Sequence, residues 1–96
     1  RSKLAPDLPT MVESGFDQFI TTSITAIVAP PNTPLDIRRR LNAAVAGALA
    51  SEDVQRTLSR LGGEARPSSP EELASYLAGA QQHWARITEA TRITVE

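Results

Sequence analysis

The chain has 96 residues, of which 41% are hydrophobic, and a formal net charge of −1. This length suits one small domain, and the near-neutral charge argues against a nucleic-acid-binding module, which usually carries a strong basic excess. Because the chain has no cysteine, disulfides, thiolate zinc ligands and cysteine nucleophiles are excluded.

The first predicted elements are a short turn and a strand. Thr10 and Glu13 have the spacing of a capping box, and Gly15 can take the left-handed conformation that stops a helical turn. Residues 19–29 are rich in β-branched side chains and contain no breaker until Pro30. The pattern therefore predicts one long strand over residues 19–29, covered on both faces in its later half.

Two helices are predicted next. Thr33 followed by Pro34 reads as an N-cap and first helical residue, and Ser51 reads as a second, weaker N-cap. Gly62 can take the positive φ that ends the second helix. The apolar residues between these signals have helical spacing: Leu35, Ile37, Leu41, Val45, Ala48 and Leu49 in the first helix, and Val54, Leu58 and Leu61 in the second.

The third predicted helix has the strongest start signal. Ser69, Pro70 and Glu72 combine a cap, a proline at the first helical position and a capping-box glutamate. Its apolar stripe is expected to face a core, with Tyr76 at the rim: Leu73, Leu77, Ala80, Trp84, Ile87 and Thr91. His83 lies beside this stripe and is interpreted as a surface residue, since no second histidine or cysteine could complete a metal site.

Together these elements predict an α/β fold with three or four helices, one long strand and one or two short strands. The short strands are expected at residues 64–66 and 93–95. A buried strand needs neighbours on both edges, because unpaired backbone groups in an interior cost free energy. We therefore expect part of the sheet to come from polypeptide outside these 96 residues.

Several short motifs occur in order along the chain: PDLPT at residues 6–10, ESG at 13–15, IVAP at 27–30, NTP at 32–34, LN at 41–42, AL at 48–49, LG at 61–62, SPEEL at 69–73 and Trp84. In this order they resemble the extracytoplasmic substrate-binding proteins of tripartite tricarboxylate transporters, the Bug family. Each motif alone is weak, but together they span nearly the whole chain.

The resemblance implies the C-terminal part of a two-lobed, type II-like periplasmic binding protein, about the last third of it. Residues 1–18 would end the second lobe, residues 19–29 would cross at the hinge, and residues 30–96 would complete the first lobe. It further implies an exported protein that binds a small organic carboxylate and delivers it to membrane permease subunits. No enzymatic activity or cofactor is expected, and residues 1–7 lack the apolar run of a signal peptide.

Candidate solute contacts lie on the predicted strand. Thr22, Ser23 and Thr25 offer hydroxyls that could hydrogen-bond a carboxylate, as does Thr21, although threonine is also common in strands for its β propensity. Ile24 stands where the family commonly has an aromatic residue. An alternative function is a non-catalytic interaction module in which an exposed sheet edge pairs with a second copy to form a homodimer.

Overall fold

A computed structural model describes residues 1–93 of the chain. It contains three helices: α1 (Leu35–Leu49), α2 (Glu52–Arg60) and α3 (Pro70–Thr91). Residues 1–34 form turns and irregular segments and contain no regular helix or strand. The three predicted helices are therefore confirmed.

Local hydrogen bonds explain where α2 and α3 begin. The Val54 backbone N–H donates to Ser51 Oγ at the start of α2 (3.4 Å). At the start of α3 the Glu72 N–H donates to Ser69 Oγ (3.0 Å), and the Ser69 N–H donates to Glu72 Oε2 (3.4 Å). This reciprocal pair is a complete capping box, with Pro70 as the first helical residue.

The end of α2 is a Schellman motif built around Gly62. This glycine has φ = 78°, and its N–H donates to the Ser59 carbonyl (3.1 Å). The Gly63 N–H then donates to the Leu58 carbonyl (2.8 Å). Since a left-handed residue is easiest for glycine, the predicted stop at Gly62 is confirmed.

The predicted cap of α1 is wrong. Thr33 Oγ1 donates to the Pro30 carbonyl (2.7 Å) instead of accepting a bond from the helix, and Pro34 occupies the N-cap position. Asn32, the residue before Thr33, has φ = 64°, a conformation that asparagine tolerates better than most residues. The hydroxyl thus tightens the turn over residues 30–33, and α1 begins one residue later than predicted.

The predicted α/β fold is also wrong for the described part of the chain. Residues 1–93 contain no strand: neither residues 19–29 nor residues 64–66 form one, and Ile93 is irregular, while residues 94 and 95 lie outside the described range. The backbone of residues 21–29 makes no hydrogen bond to other backbone within residues 1–93. A strand is defined by its ladder to a neighbour, so β-branched composition alone does not produce one. The proposed homodimer through a sheet edge loses its basis in this range.

The helices pack loosely around α1, which contacts both α2 and α3. The Cα radius of gyration is 16.7 Å, whereas a compact domain of this length has about 12.5 Å. No side chain in the described range is fully buried, and many large apolar side chains are exposed, including Ile27 (76%) and Leu61 (80%). The apolar stripe on α3, which was expected to face a core, is therefore only partly buried.

One tertiary hydrogen bond ties α1 to the start of α3. Asn42 Nδ2 donates to the Ser68 carbonyl (2.8 Å) at a partly buried position. Ser68 directly precedes the Ser69 cap, so this bond fixes the segment that enters α3. It gives Asn42, part of the LN motif, a structural role.

The predicted turn near the start of the chain is formed and paired electrostatically. The Glu13 N–H donates to Thr10 Oγ1 (3.1 Å), and the Thr10 N–H donates to Glu13 Oε2 (2.7 Å). Arg1 Nε lies 3.0 Å from Glu13 Oε2. The Arg1 guanidinium and, next, the Thr10 backbone N–H lower the pKa of the Glu13 carboxyl below its ordinary value of 4.5.

Replacing Arg1 with glutamine is expected to raise the pKa of Glu13 toward its ordinary value, because the first cause of its lowering is removed. A carboxyl with a lowered pKa stabilises the turn above its ordinary pKa, and this contribution is lost as pH falls through the folded-state pKa. An NMR titration of the Glu13 side chain measures the change. Lys3→Gln is the matched control, because Lys3 pairs with Glu64 instead. Equal Glu13 titration in both variants would contradict the assignment.

Candidate functional site

A groove of about 330 Å³ lies between residues 21–25, named here the hydroxyl-rich segment, and α3. One wall is formed by residues 21–24, and the other by one face of α3. The α3 wall, named here the α3 face, consists of four side chains: Tyr76, Leu77, Ala80 and Trp84. The groove is partly open to solvent, so it resembles half of a binding cleft more than a closed pocket.

The candidate solute contacts are mostly brought to this groove. Thr22, Ser23 and Ile24 line it together with Thr21, whereas Thr25 lies outside the lining. Side-chain hydrogen bonds within residues 1–93 involve Ser14 and then Thr33, but none of the hydroxyls between them. These hydroxyls are exposed and available to an external acceptor.

The α3 face is apolar and partly exposed. Leu77, Ala80 and Trp84 follow one another at intervals of three and four residues, which places them on the same side of the helix. Leu77 is 41% exposed and Trp84 is 49% exposed. His83, expected at the surface, is half-buried, and its ring meets that of Trp84 edge to face with centroids 5.9 Å apart.

The chemistry available in the groove is neutral. No acidic or basic side chain of the described residues lines it. Within residues 1–93 there is also no cluster of histidine and carboxylate side chains that could hold a metal ion. The groove can therefore offer hydroxyl hydrogen bonds and apolar contact, but its lining supplies no ionic partner for a carboxylate.

The sequence does not indicate that α3 forms the second wall of this groove. The helical spacing of Tyr76, Leu77 and Trp84 predicts a core and its rim instead. That spacing identifies an apolar face but does not say which segment lies against it. Because the two walls lie more than 50 residues apart, the sequence carries no signal that pairs them.

No helix within residues 1–93 combines the length and the apolarity that crossing a bilayer requires.

Comparison with solved structures found no match. Two curated proteins are similar over most of the chain. The UPF0065 protein in the tcbD-tcbE intergenic region of Pseudomonas sp. (strain P51) is 30% identical over 89 residues, which cover 92% of this chain and 26% of that protein. Protein BugT of Bordetella pertussis is 30% identical over 91 residues, covering 95% of this chain and 28% of BugT.

The chain thus spans about a quarter of the length of these relatives. The profile of the TctC family, described as tripartite tricarboxylate transporter family receptor, matches residues 1–93. The match covers both walls of the groove and all three helices. The chain belongs to the tripartite tricarboxylate transporter receptor family.

Proposed function

We propose that the chain is part of a non-enzymatic, extracytoplasmic receptor that binds a small organic carboxylate and delivers it to membrane permease subunits. The observation that carries the proposal is the family match over residues 1–93. The groove supports it, because its exposed hydroxyls are suitable donors to a carboxylate. Receptors of this kind gain affinity when two lobes close and exclude water from the solute.

The hydroxyl-rich segment is proposed to contact the solute. Thr22, Ser23 and Thr25 would donate to the carboxylate directly or through water, and Ile24 would provide apolar contact. Residues 1–18 would belong to the second lobe, residues 19–29 would connect the lobes, and residues 30–96 would belong to the first lobe. Thr25 would meet the solute only after the remaining polypeptide has completed the cleft, since it lies outside the present groove.

The test uses a grafted receptor, in which this chain replaces the 91 matching residues of BugT. We expect at least one member of a panel of small di- and tricarboxylates to bind the grafted receptor, as measured by calorimetry. Replacing Thr22 with alanine should weaken that binding roughly tenfold or more, because a hydrogen bond to a charged group is lost. The isolated chain should show no measurable binding, because it supplies only one open side of the cleft.

Thr88→Ala is the matched control for this experiment. Thr88 Oγ1 donates to carbonyls of its own helix, those of Trp84 and Ala85, so its removal should leave carboxylate binding unchanged. Two results would count against the proposal. One is a folded graft that binds no member of the carboxylate panel. The other is micromolar binding by the isolated chain, which would show that no additional polypeptide is needed.

A further inference from the structure

The surface area of the chain indicates that a large interface is missing. The accessible surface is 8650 Å² for a chain of 10.3 kDa, whereas a folded monomer of this mass exposes about 5,400 Å². Roughly 3,300 Å² thus remains uncovered beyond what a self-contained domain would show. A small carboxylate is far too small to cover an area of this size.

The α3 face is the best-defined part of this uncovered surface. It presents an indole, a phenol and two aliphatic side chains on one side of a 22-residue helix that begins with a capping box. Exposed apolar clusters on an ordered element mark contact surfaces for apolar partners. Since no charged side chain lines the groove, a carboxylate solute would gain little from the α3 face itself.

The area favours a larger body of polypeptide over a second copy as the missing cover. Many obligate interfaces bury about 2,000–5,000 Å² in total, which is about 1,000–2,500 Å² on each partner, and some are larger. An interface within this range would leave part of the excess on this chain uncovered. In the Pseudomonas relative the 89 matching residues are 26% of the protein, so about 250 residues lie outside the match. A body of that size can cover the excess from several sides.

We propose that the α3 face docks apolar side chains from the rest of the receptor polypeptide, and that the two walls of the groove therefore have different partners. The wall at residues 21–24 meets the solute, and the α3 face packs inside the first lobe. The proposal rests on the proposed function, because it takes the additional polypeptide to be that of a receptor.

The test compares the isolated 96-residue chain with the grafted receptor described above. In the graft, Leu77→Asp should abolish folding or lower the melting temperature strongly, because it places a charge in a covered apolar contact. In the isolated chain the same substitution should leave helix content nearly unchanged, since Leu77 is 41% exposed there. Gln82→Asp is the matched control, an exposed α3 position outside the groove that should have little effect in either context.

Trp84 provides a second readout that does not depend on a variant. It is the only tryptophan of the chain, so its fluorescence can be isolated when the host tryptophans are replaced with phenylalanine. Acrylamide should quench it several-fold less in the graft than in the isolated chain. Analytical ultracentrifugation of the isolated chain, run in parallel, shows whether it forms a dimer.

Three results would overturn the proposal: equal stability of the Leu77→Asp and Gln82→Asp grafts, equal quenching of Trp84 in both contexts, or protection of Trp84 by a dimer of the isolated chain. A graft that does not fold while intact BugT does would overturn it too, because the α3 face would then not fit a receptor interior. Loss of carboxylate binding in a graft that folds normally would instead contradict the proposed function alone.

Discussion

Replacing Ser69 with alanine is expected to destabilise α3 by about 1 kcal/mol and to lower the helix content of the isolated chain. Ser69 Oγ accepts from the Glu72 N–H, and its own N–H is satisfied by the Glu72 carboxylate. Both bonds belong to one capping box, so removal of the hydroxyl weakens the reciprocal pair. Because no described side chain is fully buried, little tertiary packing can compensate for the lost cap.

Far-UV circular dichroism of the isolated chain measures this loss, and Ser68→Ala is its matched control. Ser68 contributes its carbonyl to Asn42, and alanine keeps that carbonyl in place. The control should therefore retain the helix content of the unmodified chain. If Ser69→Ala and Ser68→Ala gave indistinguishable spectra, the capping box would not determine where α3 begins.

Helices could be predicted from the sequence because their signals are local. The caps at Ser51 and Ser69 and the stop at Gly62 each depend on residues within about one turn. Thr33 was expected to cap α1 but does not, because its hydroxyl donates to the Pro30 carbonyl three residues earlier. Local signals thus identify these helices, but a polar side chain beside a helix start can bond either to the helix or to a nearby turn.

The strand prediction failed for a different reason. Residues 19–29 have the composition of a strand, but the pairing that makes a strand depends on a second segment. Nothing in residues 1–93 provides that segment, so the backbone over residues 21–29 remains without backbone hydrogen bonds in this range. A β-branched composition shows that a segment would fit into a sheet. It does not show whether a second strand is present to pair with it.

The groove could be predicted only in part for the same reason. The hydroxyl side chains at residues 22, 23 and 25 stand out by composition, and two of them line the groove. Tyr76 and Trp84, on the opposite wall, lie more than 50 residues away in the sequence, and one sequence alone has no pattern that specifies such a pair. The apolar spacing on α3 indicated that the helix needs a cover, and the large exposed area is consistent with that expectation.

Residues 1–93 contain no fully buried side chain, and we expect the chain to become rigid only with additional receptor polypeptide. Differential scanning calorimetry of the isolated chain tests this most directly. We expect a broad, weak loss of structure without a cooperative peak, because no side chain within residues 1–93 is fully buried. A sharp transition of a monomer, with an enthalpy of about 60–70 kcal/mol, is what a self-contained domain of this length would show. That result would contradict the account.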